Sequence, residues 1–298
     1  QARSGRLMGV DLWAEPTIAG VLGLLLGSFL NVVIHRLPKM MERQWAQEHA
    51  AFAAGTDTPP APAPGAEAAF NLWTPRSRCP SCGHVVQWYE NIPVLSYLFL
   101  RGRCSACHVR ISARYPLVEI LTAALFAFCA YRWGLTPTGL AWCGFSAAMV
   151  ALAFIDWDTT LLPDDITLPL LWAGLLASAG HWIDVPLLAS VTGAAAGYLS
   201  LWRVYWALKL ATGKEGMGYG DFKLFAALGA WFGWQALVPI ILMSSVIGAL
   251  VGIGLKVFNN LREGGYVPFG PFLVGAGLTA MVFGPNAILQ TVLNLFGL

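Results

Sequence analysis

Charged residues are scarce in this chain, and their scarcity excludes an ordinary soluble domain. Asp, Glu, Lys and Arg make up 11% of the 298 residues, and 57% of the residues are hydrophobic. Soluble proteins contain about 25% charged residues, so this composition predicts a polytopic membrane protein in contact with lipid. The net charge of +2 is too small to indicate a nucleic-acid partner, and we expect none.

The few basic residues are concentrated in one long polar stretch. Of the 18 Lys and Arg residues, nine fall between His35 and Arg114. Basic loops tend to remain on the cytosolic side of a membrane. The distribution therefore predicts that this stretch is cytosolic.

Apolar runs predict about eight helices. The first run, residues 17–34, is followed by basic residues, as in a stop-transfer segment rather than a cleaved signal. Further runs lie near residues 115–131, 136–155, 166–181, 186–209, 222–233, 235–256 and 268–284, with a short apolar segment after Pro285. We therefore predict an all-α polytopic integral membrane protein with a small cytosolic insert between helices 1 and 2.

Small and polar residues on the first helix predict contacts with a neighbouring helix. Gly23 and Gly27 are four residues apart, a spacing that lets helices pack closely in lipid. Asn31 and His35 lie one turn further along, on one face of the same helix. Both an interhelical hydrogen bond and a role in a functional site remain open for this pair.

The chain divides into three predicted segments. Residues 1–39 contain the first transmembrane helix, residues 40–114 form the cytosolic domain, and residues 115–298 form the main membrane domain. Within the cytosolic domain, residues 40–70 become rich in Ala, Pro and Gly. This composition is typical of a flexible segment that cannot bury a core.

Two Cys-x-x-Cys pairs in the cytosolic domain predict a zinc-ribbon-like site. The second pair follows the first after 21 residues, and the four cysteines are Cys79, Cys82, Cys104 and Cys107. Four thiolates complete a closed tetrahedral structural zinc site. Two disulfides are the alternative, but a cytosolic location keeps thiols reduced and favours zinc. His84 and His108 lie nearby and are not expected to be ligands, while Cys129 and Cys143 are expected to be buried core thiols.

Two aspartates at the ends of apolar runs are the candidate catalytic residues, Asp156 and Asp221. Carboxylates near the membrane are costly to bury and indicate a functional site. Counting helices from a cytosolic polar stretch places both at the same, cytosolic, membrane face. Asp158 is a rival for Asp156, whereas Asp164 and Asp165 follow a proline and are expected to cap the next helix.

The segment before Asp221 is glycine-rich. Gly216, Gly218 and Gly220 alternate with other residues, and glycine allows a close approach of the backbone. Gly218 and Gly220 are therefore candidates for contact with an extended substrate. Lys223 is a further candidate for substrate binding, although its ammonium group is also suited to the membrane interface.

Together these motifs resemble the type IV prepilin peptidases, and the resemblance covers nearly the whole chain. They are Gly27-Ser-Phe-Leu-Asn-Val-Val-Ile-His-Arg-Leu-Pro38, the two cysteine pairs with Trp88-Tyr-Glu-Asn-Ile-Pro93 between them, Arg114-Tyr-Pro-Leu-Val-Glu119, Asp156 with Leu162-Pro163-Asp164, and Gly218-Tyr-Gly220-Asp221-Phe-Lys223-Leu. The Ala-Pro-rich insert around residues 51–70 is not part of the expected pattern.

The resemblance implies a bifunctional enzyme of the bacterial inner membrane with its active site facing the cytosol. Asp156 and Asp221 would be the catalytic pair of an intramembrane aspartyl protease. Prepilins and pseudopilins would be its substrates, cleaved after the glycine that ends a basic leader. S-adenosylmethionine would then methylate the new N-terminal Phe. Gly102 and Glu90 are weak candidates for the methyl-donor site, because no soluble-type glycine-rich nucleotide motif is present.

A proton-relaying transporter is the alternative function from another class. In that case the same aspartates would carry protons, and the zinc ribbon would dock a partner protein. A transporter predicts charged residues in the middle of helices, whereas the charges of this chain cluster at one predicted face. The peptidase is therefore the favoured interpretation.

Overall fold

A computed structural model describes residues 11–53, 55, 70–213, 217–258 and 267–295. The chain divides into two compact units, Gln1–Gly134 and Leu135–Leu298. Among the described residues helices predominate, and β pairing is limited to two isolated bridges in the cysteine-containing segment. The all-α prediction is therefore confirmed for this part of the chain.

The first unit contains α1 (Asp11–Ala53), α2 (Leu95–Phe99) and α3 (Arg114–Trp133), with a 3-10 turn at Trp88–Asn91. The second unit contains α4 (Pro137–Thr159), α5 (Asp164–Ala179), α6 (Leu187–Thr212), α7 (Tyr219–Phe232), α8 (Leu237–Val257), α9 (Gly270–Phe283) and α10 (Pro285–Leu295). A second 3-10 turn, Trp234–Ala236, leads into α8.

Several helices are long and apolar enough to cross a membrane. Four such segments occur in the described residues, namely Trp13–Ala53, Arg114–Trp133, Pro137–Thr159 and Trp234–Val257. α9 and the start of α10 qualify together as a fifth, with a bend of 110° between them. These helices are those of a multi-pass membrane protein.

Helix α1 is longer than predicted. The sequence indicated a helix over residues 17–34 and a flexible segment over residues 40–70, but α1 continues through Pro38 to Ala53. The prediction of flexibility is wrong for residues 40–53, which are rich in Met, Glu, Arg, Gln and Ala, all good helix formers. Residues 56–69 of the predicted insert and Gly216 lie outside the described part of the chain.

The glycines of α1 pack against α3 as their spacing predicted. A Cβ on Gly23 would lie 2.7 Å from Cα of Ala123, and one on Gly27 would lie 2.7 Å from Cα of Glu119. One turn later Asn31 Nδ2 donates to the Tyr115 carbonyl at 3.1 Å. α3 thus belongs to the same compact unit as α1. The predicted boundary at residue 114, between a cytosolic domain and the main membrane domain, would place α1 and α3 in different segments, and that division remains a prediction.

The core of the second unit is organised around α7. Gly193 of α6 and Gly229 of α7 approach so closely that a Cβ on either would collide with the backbone of the other. On another side, Trp231 Nε1 donates to the Leu170 carbonyl of α5 at 2.8 Å. α7 is therefore held by both neighbours through its last turn. Cys129 in the first unit and Cys143 in the second are buried, as expected of core thiols.

Candidate active site

Asp156 lies in the last turn of α4, where that helix meets the loop leading into α5. Thr160 caps the helix: it adopts a left-handed conformation and donates its N–H to the Asp156 carbonyl at 2.9 Å. The side chain of Asp156 is turned into the protein, and the residue is only 4% exposed. A carboxylate is therefore buried at the end of an apolar helix, as the sequence predicted.

Asp221 lies in the first turn of α7 and is also 4% exposed. Its Oδ2 accepts a hydrogen bond from the backbone N–H of Gly218 at 3.3 Å, which fixes the side chain over the start of the helix. Leu162 links the surroundings of the two aspartates: its Cβ packs on the Cβ position of Gly220, beside Asp221, and its Cδ1 lies at the Cβ position of Gly270, where Asp156 Oδ2 also rests. The structure thus brings together the two aspartates that the sequence placed at one membrane face.

Gly218 and Gly220 differ in their surroundings. At Gly218 a Cβ would meet nothing closer than Asp221 Oδ2, at 3.8 Å, so there is space beside this backbone. At Gly220 a Cβ would lie 2.7 Å from Cβ of Leu162, so this glycine packs against the loop before α5. The geometry favours Gly218 as the position open to a substrate. Contact of either glycine with substrate remains a prediction.

The other acidic residues near Asp156 occupy exposed positions. Asp164 and Asp165 lie in the first turn of α5, where the helix dipole favours acidic residues, but the N-cap position that they were expected to fill is occupied by Pro163. Asp158 is exposed on α4. Lys223 of α7, a predicted substrate contact, places Nζ 2.7 and 2.6 Å from the two carboxylate oxygens of Asp164. Lys223 therefore joins α7 to α5, and its role in substrate binding remains a prediction.

Gly270, which the sequence analysis missed, completes the surroundings of Asp156. It is the first residue of α9, and a Cβ there would collide with Asp156 Oδ2. In the sequence, Gly270 is marked by its position between Pro268 and Pro271 at the start of an apolar run. Nothing in that pattern indicates which residue lies opposite.

The four cysteines of the first unit form one cluster, to which each Cys-x-x-Cys pair contributes a matching turn. In the first turn Cys79 N–H donates to the His84 carbonyl at 2.8 Å, and in the second Cys104 N–H donates to the Val109 carbonyl at 2.9 Å. The four sulfur atoms all lie within 4.8 Å of one another. Two of them belong to each turn, as the zinc-ribbon interpretation requires.

The sulfur geometry suits a zinc ion better than disulfides. Cys79 Sγ is 3.8 Å from Cys107 Sγ, and Cys82 Sγ is 4.0 Å from Cys104 Sγ. A tetrahedral site with Zn–S bonds of about 2.3 Å separates its sulfurs by roughly 3.8 Å, whereas a disulfide requires about 2.05 Å. Backbone N–H groups, foremost that of Cys82 at Cys79 and that of Cys107 at Cys104, lower the pKa of Cys79 and Cys104, whereas neighbouring thiols raise the pKa of Cys82. One thiolate in each turn is therefore favoured, and a metal binds thiolates.

Comparison with known proteins decides the family. Residues 21–133 match the bacterial peptidase A24 N-terminal domain, and residues 143–253 match the type IV leader peptidase family. The chain belongs to the type IV leader peptidase family. The leader peptidase match contains both Asp156 and Asp221, the N-terminal match contains all four clustered cysteines, and Gly270 lies beyond both.

Curated relatives extend the similarity to almost the full length. Proteins named prepilin leader peptidase/N-methyltransferase are 52% identical over 281 residues in Aeromonas salmonicida (strain A449), with 92% of each chain covered, and 53% identical over 270 residues in Pseudomonas putida, with 90% covered. A relative of the same name from Pseudomonas aeruginosa is 49% identical over 278 residues, with 93% of each chain covered. No solved structure matches. The predicted resemblance is confirmed, and membership of a peptidase family favours an enzyme over the transporter.

The two weak methyl-donor candidates both have structural roles in the cysteine-containing insert. Glu90 Oε2 accepts from Gln87 N–H at 2.7 Å and lies 3.1 Å from His84 Nε2; the Gln87 N–H, above all, lowers the pKa of Glu90. Gly102 has a φ of +65°, and a Cβ there would lie 2.8 Å from the Tyr97 ring. Neither geometry indicates or excludes contact with a cofactor.

Proposed function

We propose that this chain is an intramembrane aspartyl endopeptidase that removes the leaders of prepilins and pseudopilins, cutting after Gly at the cytosolic face of the inner membrane. It would then methylate the new N-terminal Phe with S-adenosylmethionine. The observation that carries the peptidase part is the burial of Asp156 and Asp221 at neighbouring helix ends, which the packing of Leu162 against Gly220 and Gly270 links. The name shared by the relatives supports the substrate class and the second activity.

The proposed cleavage requires the two carboxyl groups to hold different protonation states. Two adjacent carboxylates cannot both ionise readily in a buried place, so the pair retains one proton. The ionised member takes a proton from a water molecule that attacks the scissile carbonyl carbon. The protonated member donates to the carbonyl oxygen and stabilises the tetrahedral intermediate.

The backbone at Gly218 would receive the substrate. Its Cβ position is free of close neighbours, and its N–H already points to Asp221. An extended leader could therefore pass within hydrogen-bonding distance of this segment without a side chain in the way. Gly220 would contribute by keeping Leu162, and hence the loop before α5, close to the aspartates.

The cysteine cluster would hold a structural zinc ion through Cys79, Cys82, Cys104 and Cys107. Four protein ligands leave zinc no open position, so its contribution is to fold the insert. Beside it lies an open cavity of about 480 Å³ lined in part by Arg101, Arg103, Ser105 and His108. The methyl donor, S-adenosylmethionine, would bind in this cytosolic domain, for which Gly102 and Glu90 are the candidate residues.

A cleavage assay on the purified full-length chain tests the proposal. We expect Asp156→Asn and Asp221→Asn each to lower the cleavage rate for a prepilin by at least about 100-fold, the lower end of the contribution of acid–base groups. Asp158→Asn is the matched control, because Asp158 is exposed two residues from Asp156. Methylation of a precleaved pilin peptide should persist in all three variants. Cleavage at the wild-type rate by either aspartate variant would refute the assignment.

A further inference from the structure

Asp156 occupies the space in which a side chain at residue 270 would begin. A Cβ on Gly270 would collide with Oδ2 of Asp156 and would lie 3.0 Å from its Cγ. Real Cβ atoms almost never approach other heavy atoms so closely. The carboxyl group of Asp156 therefore lies directly on the backbone at the start of α9.

Among the described glycines of the second unit, Gly270 is the one whose Cβ position is approached this closely by a carboxylate; Gly174, Gly220 and Gly277 face Trp, Leu or Met side chains. At Gly193 and Gly229 a Cβ would meet main-chain atoms of the facing helix, so those glycines allow two helices to pack. At Gly275, five residues further along α9, a Cβ would meet nothing within 4 Å. The nearest atom at Gly270 is a carboxylate oxygen rather than backbone. The absence of a side chain at residue 270 therefore accommodates a candidate catalytic group.

Leu162 connects this contact to the second aspartate. Its Cδ1 lies 3.2 Å from the Cβ position of Gly270, and its Cβ lies 2.7 Å from the Cβ position of Gly220, next to Asp221. Leu162 is buried. Its side chain thus packs between the segment that carries Asp221 and the start of α9, against which Asp156 rests.

We propose that Gly270 is a positioning residue for Asp156, with Leu162 as the packed spacer that keeps the start of α9 and the Gly220 segment at a fixed separation. The proposal rests on the proposed function, in which Asp156 and Asp221 act as a pair. Gly270 touches neither substrate nor water in this role. It acts by allowing the Asp156 carboxyl to rest against backbone at one defined place.

A methyl group at residue 270 should disturb catalysis more than folding. The atom that must yield is the end of the Asp156 side chain, which can rotate away, while the backbones of α4 and α9 stay in place. Rotation moves the carboxyl away from the position that it needs, beside Asp221, for proton transfer with the attacking water or the scissile carbonyl. A misplacement of about 1 Å in a catalytic group can reduce the rate by about 100-fold.

The test compares Gly270→Ala with Gly275→Ala, two glycine substitutions in the same helix. Steady-state cleavage of a prepilin by the full chain in detergent gives kcat and KM, and methylation of a precleaved peptide gives the second activity. We expect Gly270→Ala to lower kcat by about 100-fold, with little change in KM, methylation and thermal stability. Gly275→Ala should match the wild type in kcat, KM, methylation and thermal stability.

Two results would overturn the proposal. One is a wild-type kcat in Gly270→Ala. The other is a loss of kcat accompanied by equal losses in methylation and thermal stability, which would show a merely structural role. If Gly270→Ala does not fold, Leu162→Ala decides, because it removes the contact of Cδ1 with the start of α9 without adding a clash. A lowered kcat with unchanged KM supports the proposal, and an unchanged kcat refutes it.

The aspartate variants show whether a negative result refutes the positioning role of Gly270 or the proposed peptidase function itself. If Asp156→Asn and Asp221→Asn still cleave, the proposed function fails and the inference fails with it. If both lose cleavage while Gly270→Ala and Leu162→Ala cleave at the wild-type rate, only the positioning role is refuted.

Discussion

Replacing Cys104 with serine is expected to release zinc and unfold both cysteine turns. Cys104 is the buried member of the cluster, and its sulfur lies 4.0 Å from that of Cys82. Four backbone hydrogen bonds hold the two turns, with Cys79, Gly83, Cys104 and His108 as donors. At about 1 kcal/mol each they supply about 4 kcal/mol. Structural zinc in small zinc domains contributes about 10–16 kcal/mol at pH 7, so the metal should dominate the stability of this segment.

Metal analysis and amide hydrogen exchange measure the two parts of this prediction. We expect one zinc ion per wild-type chain and less than one in Cys104→Ser, with faster exchange at the four donor N–H groups. Cys143→Ser is the matched control, since Cys104 and Cys143 are each 6% exposed but Cys143 lies outside the cluster. Its zinc content should equal that of the wild type.

The opposite result would refute the zinc interpretation. If the wild-type chain, purified without reductant or chelator, contains no zinc and has two disulfides among the four cysteines, the disulfide alternative is correct. The sulfur separations of 3.8 and 4.0 Å would then have to shorten by almost half.

Two further substitutions test contacts made by α7. Because Nζ of Lys223 is already bound by both carboxylate oxygens of Asp164, we expect Lys223→Met to leave the KM for prepilin unchanged and to cost less than about 1 kcal/mol of stability, as for partly exposed ion pairs. A raised KM with unchanged stability would instead support Lys223 as a substrate contact. Trp231→Phe should lower the free energy of unfolding by about 1–3 kcal/mol, because the buried Leu170 carbonyl loses its donor. Thermal unfolding in detergent measures this loss, and Trp234→Phe is the exposed control; equal effects of the two changes would contradict the role of the hydrogen bond.

Much of the fold was predictable because its causes are local. Apolar runs predicted α3 to α9 to within a few residues, since a membrane requires each spanning segment to satisfy its own backbone. The cysteine spacing predicted the two turns, because each pair of ligands must come from one tight turn. α1 was predicted too short, since hydropathy shows where lipid contact ends but helix propensity continues to Ala53.

The sequence by itself determined the candidate site through the kinds of residues it places at helix ends. Asp156 and Asp221 are carboxylates at the ends of apolar helices. The free-energy cost of burying a charge at such a place can be recognised from the sequence alone. Which groups surround them was decided only by tertiary packing. Three contacts join segments that are far apart in the chain. They are the contact of Gly270 with Asp156, the packing of Leu162 against Gly220, and the ion pair of Lys223 with Asp164. Their partners follow from how helices α4, α5, α7 and α9 pack, because hydropathy and local propensity define each helix but not which of its neighbours it meets.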